Sequence, residues 1–293
     1  MIQYMNKGKK MNNVFSIDTE DWFHANYTDG LFSNNDNIRS TVEANVDKYL
    51  ELFSEYNVKA TFFVLGVVAE KHPAMIRKIE KEGHEIASHG YAHQLVYKQT
   101  PNEFSHDVRK SKFILENLIG KKVFGYRAPS WSITEKSLWA IKILDEEGFV
   151  YSSSIFPTQN FLYGIPYAPR FIHDSSVYGF PNLKLVHIPP ATKKCFLIKN
   201  GCIPFSGGAY FRLFPASTIN FWTKQINDKE KQPVIFYLHP REIDPRQPRL
   251  KLRFIDYCIH YYGIRGCEKK LVEILEEHDF VTMNTLVKER NFL

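Results

Sequence analysis

Along the chain, the spacing of apolar residues switches between runs of strand length and the one-face pattern of helices. Val14 to Ile17 is a short apolar run that predicts a strand. Ser40 with Glu43 three residues later has the form of a capping box, and Val42, Val46, Leu50 and Phe53 behind it share one helical face. The run Ala60 to Leu65 predicts a buried strand, Pro73 to Glu82 a short helix and Glu85 to Ala87 a further strand. Thr100 and Glu103 open a longer helix with Phe104, Val108, Leu115 and Leu118 inward. Val123 to Tyr126 then reads as a strand, followed by a helix that starts near Thr134, turns Leu138, Ile141 and Leu144 inward and stops at Gly148.

Pro157 to Pro190 is rich in Pro, Gly and aromatic residues and reads as long loops with one strand near Leu185 to Ile188. Val234 to Leu238 predicts a strand that runs into His239-Pro240, and a basic, Pro-rich segment follows it. A helix over Glu268 to His278 and a strand over Phe280 to Met283 complete the pattern. Strands alternating with helices imply an α/β protein with a parallel sheet, curled into a closed or nearly closed barrel. We expect one domain over residues 11–293, with 1–10 as a disordered tail and 240–293 as a C-terminal extension.

Composition narrows the function. A chain of 293 residues with 44% hydrophobic content can bury a large core. The net charge of +6 comes from 38 basic and 32 acidic residues, and outside the group Lys7, Lys9 and Lys10 the basic ones are scattered among acidic ones, so no nucleic acid partner is expected. Cys195, Cys202, Cys258 and Cys267 have neither C-x-x-C nor zinc-finger spacing and read as reduced thiols. The N-terminal residues hold no apolar run of signal-peptide length, and no stretch approaches the roughly 18 apolar residues of a membrane span. A cytoplasmic location, with action at the inner face of the membrane, is the expectation; the oligomeric state is left open.

Four polar clusters fall at strand ends, where parallel α/β folds place their sites. Asp18-Thr19-Glu20-Asp21 puts three carboxylates within four residues, which repel one another unless a cation or arginine compensates. Residues 18 and 20 point to the same side of a strand, so one carboxylate can act as base and another as ligand. His89 and His93, spaced i and i+4, can both reach one metal when their segment turns helically, and with one acid they form a two-His, one-carboxylate set suited to Zn²⁺, Fe²⁺ or Co²⁺. Arg127, in a Pro-containing loop, can pair with a carboxylate and fix its direction, and His239 stands where a general acid could. Trp22, Phe23 and Trp131 are candidates for stacking on sugar rings.

Taken together, Asp18 to His24, Glu82 to His93, Gly125 to Thr134, Ser153 to Pro157, Tyr163 to Phe171, Gly207 to Pro215 and Phe236 to Glu242 resemble the motifs of NodB-type polysaccharide deacetylases, the fourth family of carbohydrate esterases. The resemblance is nearest to the branch found with exopolysaccharide and exosortase loci. It implies a distorted (β/α)7-type barrel of the NodB homology type and hydrolysis of N-acetyl groups on an acetylated amino-sugar polymer or oligosaccharide. It further implies a divalent metal, zinc by preference with Co, Fe, Ni or Mn as alternatives. Carried over residue by residue, His89 and His93 are metal ligands, Asp18 is the base, Arg127 positions it and His239 is the acid. Glu20 is the preferred third ligand, with Asp21 as the alternative. Trp22, Tyr91, Pro129 and Trp131 are expected at the substrate, with a backbone N–H near Tyr91 or Trp131 stabilising the oxyanion. Ser152 stands where many relatives carry an aspartate, and Glu242 is the candidate to take over that role. The rival readings are a non-catalytic carbohydrate-binding protein on the same fold and, among hydrolases, an O-acetyl esterase or cyclic-imide hydrolase.

Overall fold

The computed structural model describes residues 11–28, 38–158, 160, 162–195, 201–290 and 292; the expected tail over 1–10 lies outside them. Its centre is β1 (Asn12–Thr19), buried from Asn13 onward. After it come α1 (Val42–Glu55), β2 (Thr61–Val64), α2 (Gly66–Lys71), α3 (Pro73–Lys81), β3 (Glu85–Ser88), α4 (Pro101–Ile119), β4 (Gly125–Tyr126), α5 (Trp139–Glu146) and β5 (Tyr151–Ser152). The second half contributes β6 (His173–Asp174), β7 (Val186–His187), β8 (Thr192–Lys194), β9 (Cys202–Pro204), α6 (Gly208–Leu213), α7 (Ala216–Gln225) and β10 (Ile235–Leu238). The chain finishes with α8 (Phe254–Tyr261), α9 (Cys267–Glu277), β11 (Asp279–Val281) and α10 (Met283–Glu289).

Among the described residues, nine strands form one sheet in the order β10-β1-β2-β3-β4-β5-β7-β6, with β11 beside the start of β1. All pairs are parallel except β6 with β7. The sheet curls into a half-barrel; across the remaining gap, the Ala191 amide donates to the Ile235 carbonyl at 3.2 Å and Gly207 bridges to Tyr237. Packing explains why β1 is central. Phe15 stacks on Phe236 with centroids 5.9 Å apart and meets Phe53 and Phe280 edge-on, so one side chain joins two strands and α1.

Register does the positioning. Thr19 pairs with Val64, Val64 with Ser88, Ser88 with Tyr126, and Tyr126 with Ser152. The residues that follow, Glu20, His89, Arg127 and Ser153, therefore leave the sheet at one edge. On the other side of β1, Ile17 pairs with Leu238, which sets His239 level with Asp18.

Two helix starts show how local chemistry was realised. The Thr100 and Glu103 capping box of α4 forms in full, with the Glu103 amide donating to Thr100 Oγ1 at 3.3 Å and the Thr100 amide to Glu103 Oε2 at 2.7 Å. The Ser40 and Glu43 box does not. Ser40 instead donates its hydroxyl to Asp21, whose Oδ1 also accepts the Thr41 amide at 2.9 Å, and Glu43 lies 3.4 Å from His72. A carboxylate from the loop after β1 caps α1 in place of the local hydroxyl.

Candidate active site

Asp18 and Arg127 form a fully buried ion pair at the strand ends. Nη1 of Arg127 lies 2.5 Å from Asp18 Oδ1 and 3.0 Å from Ser16 Oγ, while Nη2 donates to Ser153 Oγ at 2.9 Å. Arg127 has no solvent exposure, and removing a guanidinium from water costs several kcal/mol, a cost its three partners on Nη1 and Nη2 offset while Nε is left without one. Its plane also sits 4.0 Å from the centre of the Phe63 ring. Ser16, an isolated serine in a strand, carries no signal in the sequence, whereas Ser153 opens the Ser153 to Pro157 motif without its partner being evident from it. Ser152 donates to Ser154 at 2.7 Å, and Ser154 accepts the Ala128 amide at 2.9 Å, so this serine run cradles the arginine loop.

Glu20, His89 and His93 converge, with candidate ligand atoms within 4.8 Å of one another. The two imidazoles do not share a helix. Gly90 and His93 both take left-handed backbone angles, φ 77° and 57°, and the rings come together across a loop with centroids 5.5 Å apart. Helix α2 anchors that loop: the amides of Gly66 and Val67 donate to the carbonyls of Gly90 and Tyr91 at 2.9 and 3.0 Å. A side chain at Gly66 would come within 2.5 Å of the Tyr91 ring, which is why glycine starts this helix. His89 Nδ1 lies 2.8 Å from the Arg127 carbonyl, a contact that fixes the ring and leaves Nε2 to the cluster. Burial pushes the His89 imidazole down to about 4, so it is neutral at pH 7, as a ligand must be.

Glu20 Oε2 lies 2.9 Å from His93 Nε2, yet the contact lacks hydrogen-bond alignment and the oxygen is buried without a hydrogen-bond partner. Burial alone would raise the Glu20 carboxyl; His93, His239 and His89 more than reverse this and hold it far below the usual carboxylate range. An ionised carboxylate oxygen without a hydrogen-bond partner, beside two imidazoles, fits a divalent cation. Asp21 does not join them, because its carboxylate is committed to Ser40 and Thr41.

His239 stands opposite. Its Nε2 is 3.9 Å from both Asp18 Oδ2 and Glu20 Oε1, and its Nδ1 is 3.2 Å from Glu242 Oε2. That same oxygen accepts the His239 amide at 2.9 Å, and Glu242 Oε1 takes Arg212 Nε at 2.9 Å. Burial works against protonating His239, but the hydrogen bond and charge of Glu242 outweigh it and the imidazole is raised above its ordinary value. Glu242 thus orients this histidine, while the Ser152 hydroxyl is given to Ser154. Arg212 was missed by sequence reasoning, although it lies in the Gly207 to Pro215 motif.

These groups open into a cleft of about 650 Å³ lined by Asp18, Glu20, His89, His93, His239 and, at its walls, Trp131, Tyr163 and Tyr210. Another cavity of about 710 Å³ lies at the opposite ends of the strands, near Lys59 and Glu80, with no converging ligand set among the described residues. Trp131 reaches the cleft through two successive left-handed residues, Ser130 (φ 50°) and Trp131 (φ 48°), strain of a kind found at functional turns. Pro129 is buried at the start of that turn. Trp22 is placed differently from the expectation: it is buried, donates Nε1 to the Arg39 carbonyl at 3.2 Å and does not line the cleft. Tyr91 also stands outside the lining, with its hydroxyl 2.9 Å from Glu70 and its ring under Lys110. The amide of Tyr91 donates to Asp107 at 2.9 Å and that of Trp131 to the Ala128 carbonyl at 3.0 Å, so neither is free to hold an oxyanion.

Residues 31–148 match the family model described as polysaccharide deacetylase, and residues 153–288 match a domain of unknown function, DUF3473. A peptidoglycan-N-acetylglucosamine deacetylase of Bacillus cereus is 39% identical over 94 residues, 32% of this chain and 34% of that protein. A peptidoglycan deacetylase of Helicobacter pylori is 32% identical over 113 residues, 39% of this chain and 38% of that protein. The matches thus span little more than a third of those two relatives. Among solved structures, a polysaccharide deacetylase from Mycobacterium smegmatis superposes with a TM-score of 0.63 at 22% identity, covering 98% of this chain and 92% of that one. A CE4 family pseudoenzyme from Bacillus anthracis superposes with a TM-score of 0.50 at 13% identity, covering 95% of this chain and 66% of that one, so the fold by itself does not imply turnover. The deacetylase model thus covers less than half of this chain, and over that part the chain is similar to polysaccharide deacetylases. The site straddles both matched regions: Glu20 precedes them, His89, His93 and Arg127 fall in the first, and Arg212, His239 and Glu242 in the second.

Proposed function

We propose that this protein is a metal-dependent hydrolase that removes N-acetyl groups from an N-acetylhexosamine-containing polysaccharide or its precursor. The observation that carries this reading is the orphaned Glu20 oxygen beside His89 and His93, with Asp18 and His239 facing each other 3.9 Å apart at the same cleft. Glu20, His89 and His93 would hold the cation, zinc by preference. When bound, it supplies a Lewis acid that makes water more acidic and polarises the acetyl carbonyl.

The chain's own groups divide the proton work. Asp18 keeps one oxygen on Arg127, and the other accepts a proton as water adds to the acetyl carbon. Protonated His239, held by Glu242, gives its proton to the departing nitrogen as the C–N bond breaks, leaving acetate and a free amino sugar. Trp131, Tyr163 and Tyr210 line the cleft and would give a sugar aromatic surface to pack on, which supports a glycan over a small amide. The resemblance of seven motif segments to the branch found with exopolysaccharide loci favours an exopolysaccharide as the polymer.

The test is acetate release from N-acetylglucosamine oligomers by the wild type and Asp18→Asn. We expect the variant to keep its metal and lose at least about a hundredfold in turnover. Full turnover by Asp18→Asn would overturn the base assignment, and faster release from O-acetylated than from N-acetylated oligomers would favour an esterase.

A further inference from the structure

The segment 245–266 takes no part in the proton transfers, and it combines two properties. Five basic residues, Arg246, Arg249, Lys251, Arg253 and Arg265, stand against one acid, Asp256, a local net charge of +4. Asp256 is buried and bonded to Arg253 at 2.7 Å, while the five cations are exposed.

Helix α8, within this segment, is turned inside out. His260 and Tyr261 point inward, whereas Phe254 is 82% exposed, Ile255 70% and Tyr262, just beyond the helix, 58%. Leu213, at the end of α6, is 53% exposed and shares a cleft wall with Ile259 and Tyr262. The apolar patch is therefore continuous with the mouth of the cleft that holds His239. It is also rigidly joined to it: Arg212, which grips Glu242, donates to the carbonyls of Ile259 and Tyr262. Apolar surface of this kind on a soluble domain marks an interaction site.

We propose that α8 and the basic segment before it form a docking surface for an anionic lipid bilayer. Phe254 and Ile255 enter the headgroup boundary, and Arg246, Arg249, Lys251 and Arg253 meet the lipid phosphates. Charge decides between occupants. A second copy of this face would bring like charges together, and a soluble polyanion offers nothing to Phe254 and Ile255; an anionic membrane satisfies both. The consequence, that the cleft opens along the membrane and takes a glycan carried on lipid, rests on the proposed deacetylase reading; the docking itself does not.

The experiment is co-sedimentation of the full chain with vesicles of phosphatidylcholine alone or with roughly a third phosphatidylglycerol. We expect binding only to the anionic vesicles, weakened by high salt. Arg246→Ser with Lys251→Ser should lower affinity about thirtyfold, and Phe254→Ser with Ile255→Ser by more than about tenfold, with unfolding midpoints unchanged. No preference for anionic vesicles, or wild-type binding by both double variants, would overturn the proposal. So would Phe254→Ser with Ile255→Ser abolishing self-association while leaving vesicle binding intact, which assigns the face to a second copy, or dextran sulfate binding as tight as vesicle binding and indifferent to that variant. Vesicle binding as expected in a protein that releases no acetate would sink the catalytic reading and leave this one standing.

Discussion

Glu242 holds His239 twice through one oxygen, at 3.2 Å from the ring Nδ1 and 2.9 Å from the backbone amide, and Arg212 holds the other carboxylate oxygen. The imidazole's direction and its readiness to carry a proton thus depend on one buried carboxylate. Glu242→Gln keeps the shape and removes the charge that raises His239. The histidine must be protonated to donate, so with a lower His239 value the protonated form disappears at lower pH. We expect kcat to fall about tenfold to a hundredfold with little change in KM, and the alkaline limb of the kcat/KM profile to move toward acid, as a pH-rate comparison of the two proteins will show.

Arg127 is wholly buried against Asp18, Ser16 and Ser153. Arg127→Leu leaves the Asp18 carboxylate without its cation in a closed environment and should cost about 3–5 kcal/mol. Urea unfolding of the variant measures this. A loss below about 1 kcal/mol would mean that water reaches Asp18 without the arginine.

The two neighbouring acids have separable roles. Glu20→Gln should reduce metal affinity by more than about a hundredfold, whereas Asp21→Ala should keep the metal and lose about 1 kcal/mol of stability, since it removes the cap of α1. Metal titration and thermal unfolding of both variants distinguish them.

Trp131 stands in the cleft wall within 4.3 Å, centroid to centroid, of Tyr237. Trp131→Ala should raise KM about threefold to tenfold for monosaccharide and oligomer substrates alike, because the ring lies beside Arg127, which holds Asp18.

The sequence made the sheet legible where burial is two-sided, because Val14–Ile17, Ala60–Leu65 and Val234–Leu238 are continuous apolar runs that match strands buried along their length. Elements held by tertiary contact were not legible. Helix α2 starts on carbonyls of the His89–His93 loop, and α8 shows its apolar side to solvent, so neither has the periodic face that announces a helix. The candidate site divides the same way. His89, His93, Asp18, Arg127 and His239 stood out at strand ends, but the histidine pair meets through a left-handed loop turn, and the partners Ser16, Ser153 and Arg212 matter only through register and folding-back of the chain. Asp21 shows the limit of spacing: it is one residue from Glu20, and its carboxylate serves a helix cap.

The central claim is that Glu20, His89 and His93 hold the cation on which deacetylation depends. Its most direct test is to measure metal content and acetate release together, in the purified protein, after chelation and after adding back zinc. The account predicts one ion per chain, loss of both on chelation, recovery of both with zinc, and absence of both in His89→Ala and His93→Ala. Acetate release that persists in the chelated protein, or a zinc-loaded chain that binds oligomers and releases no acetate, would contradict it.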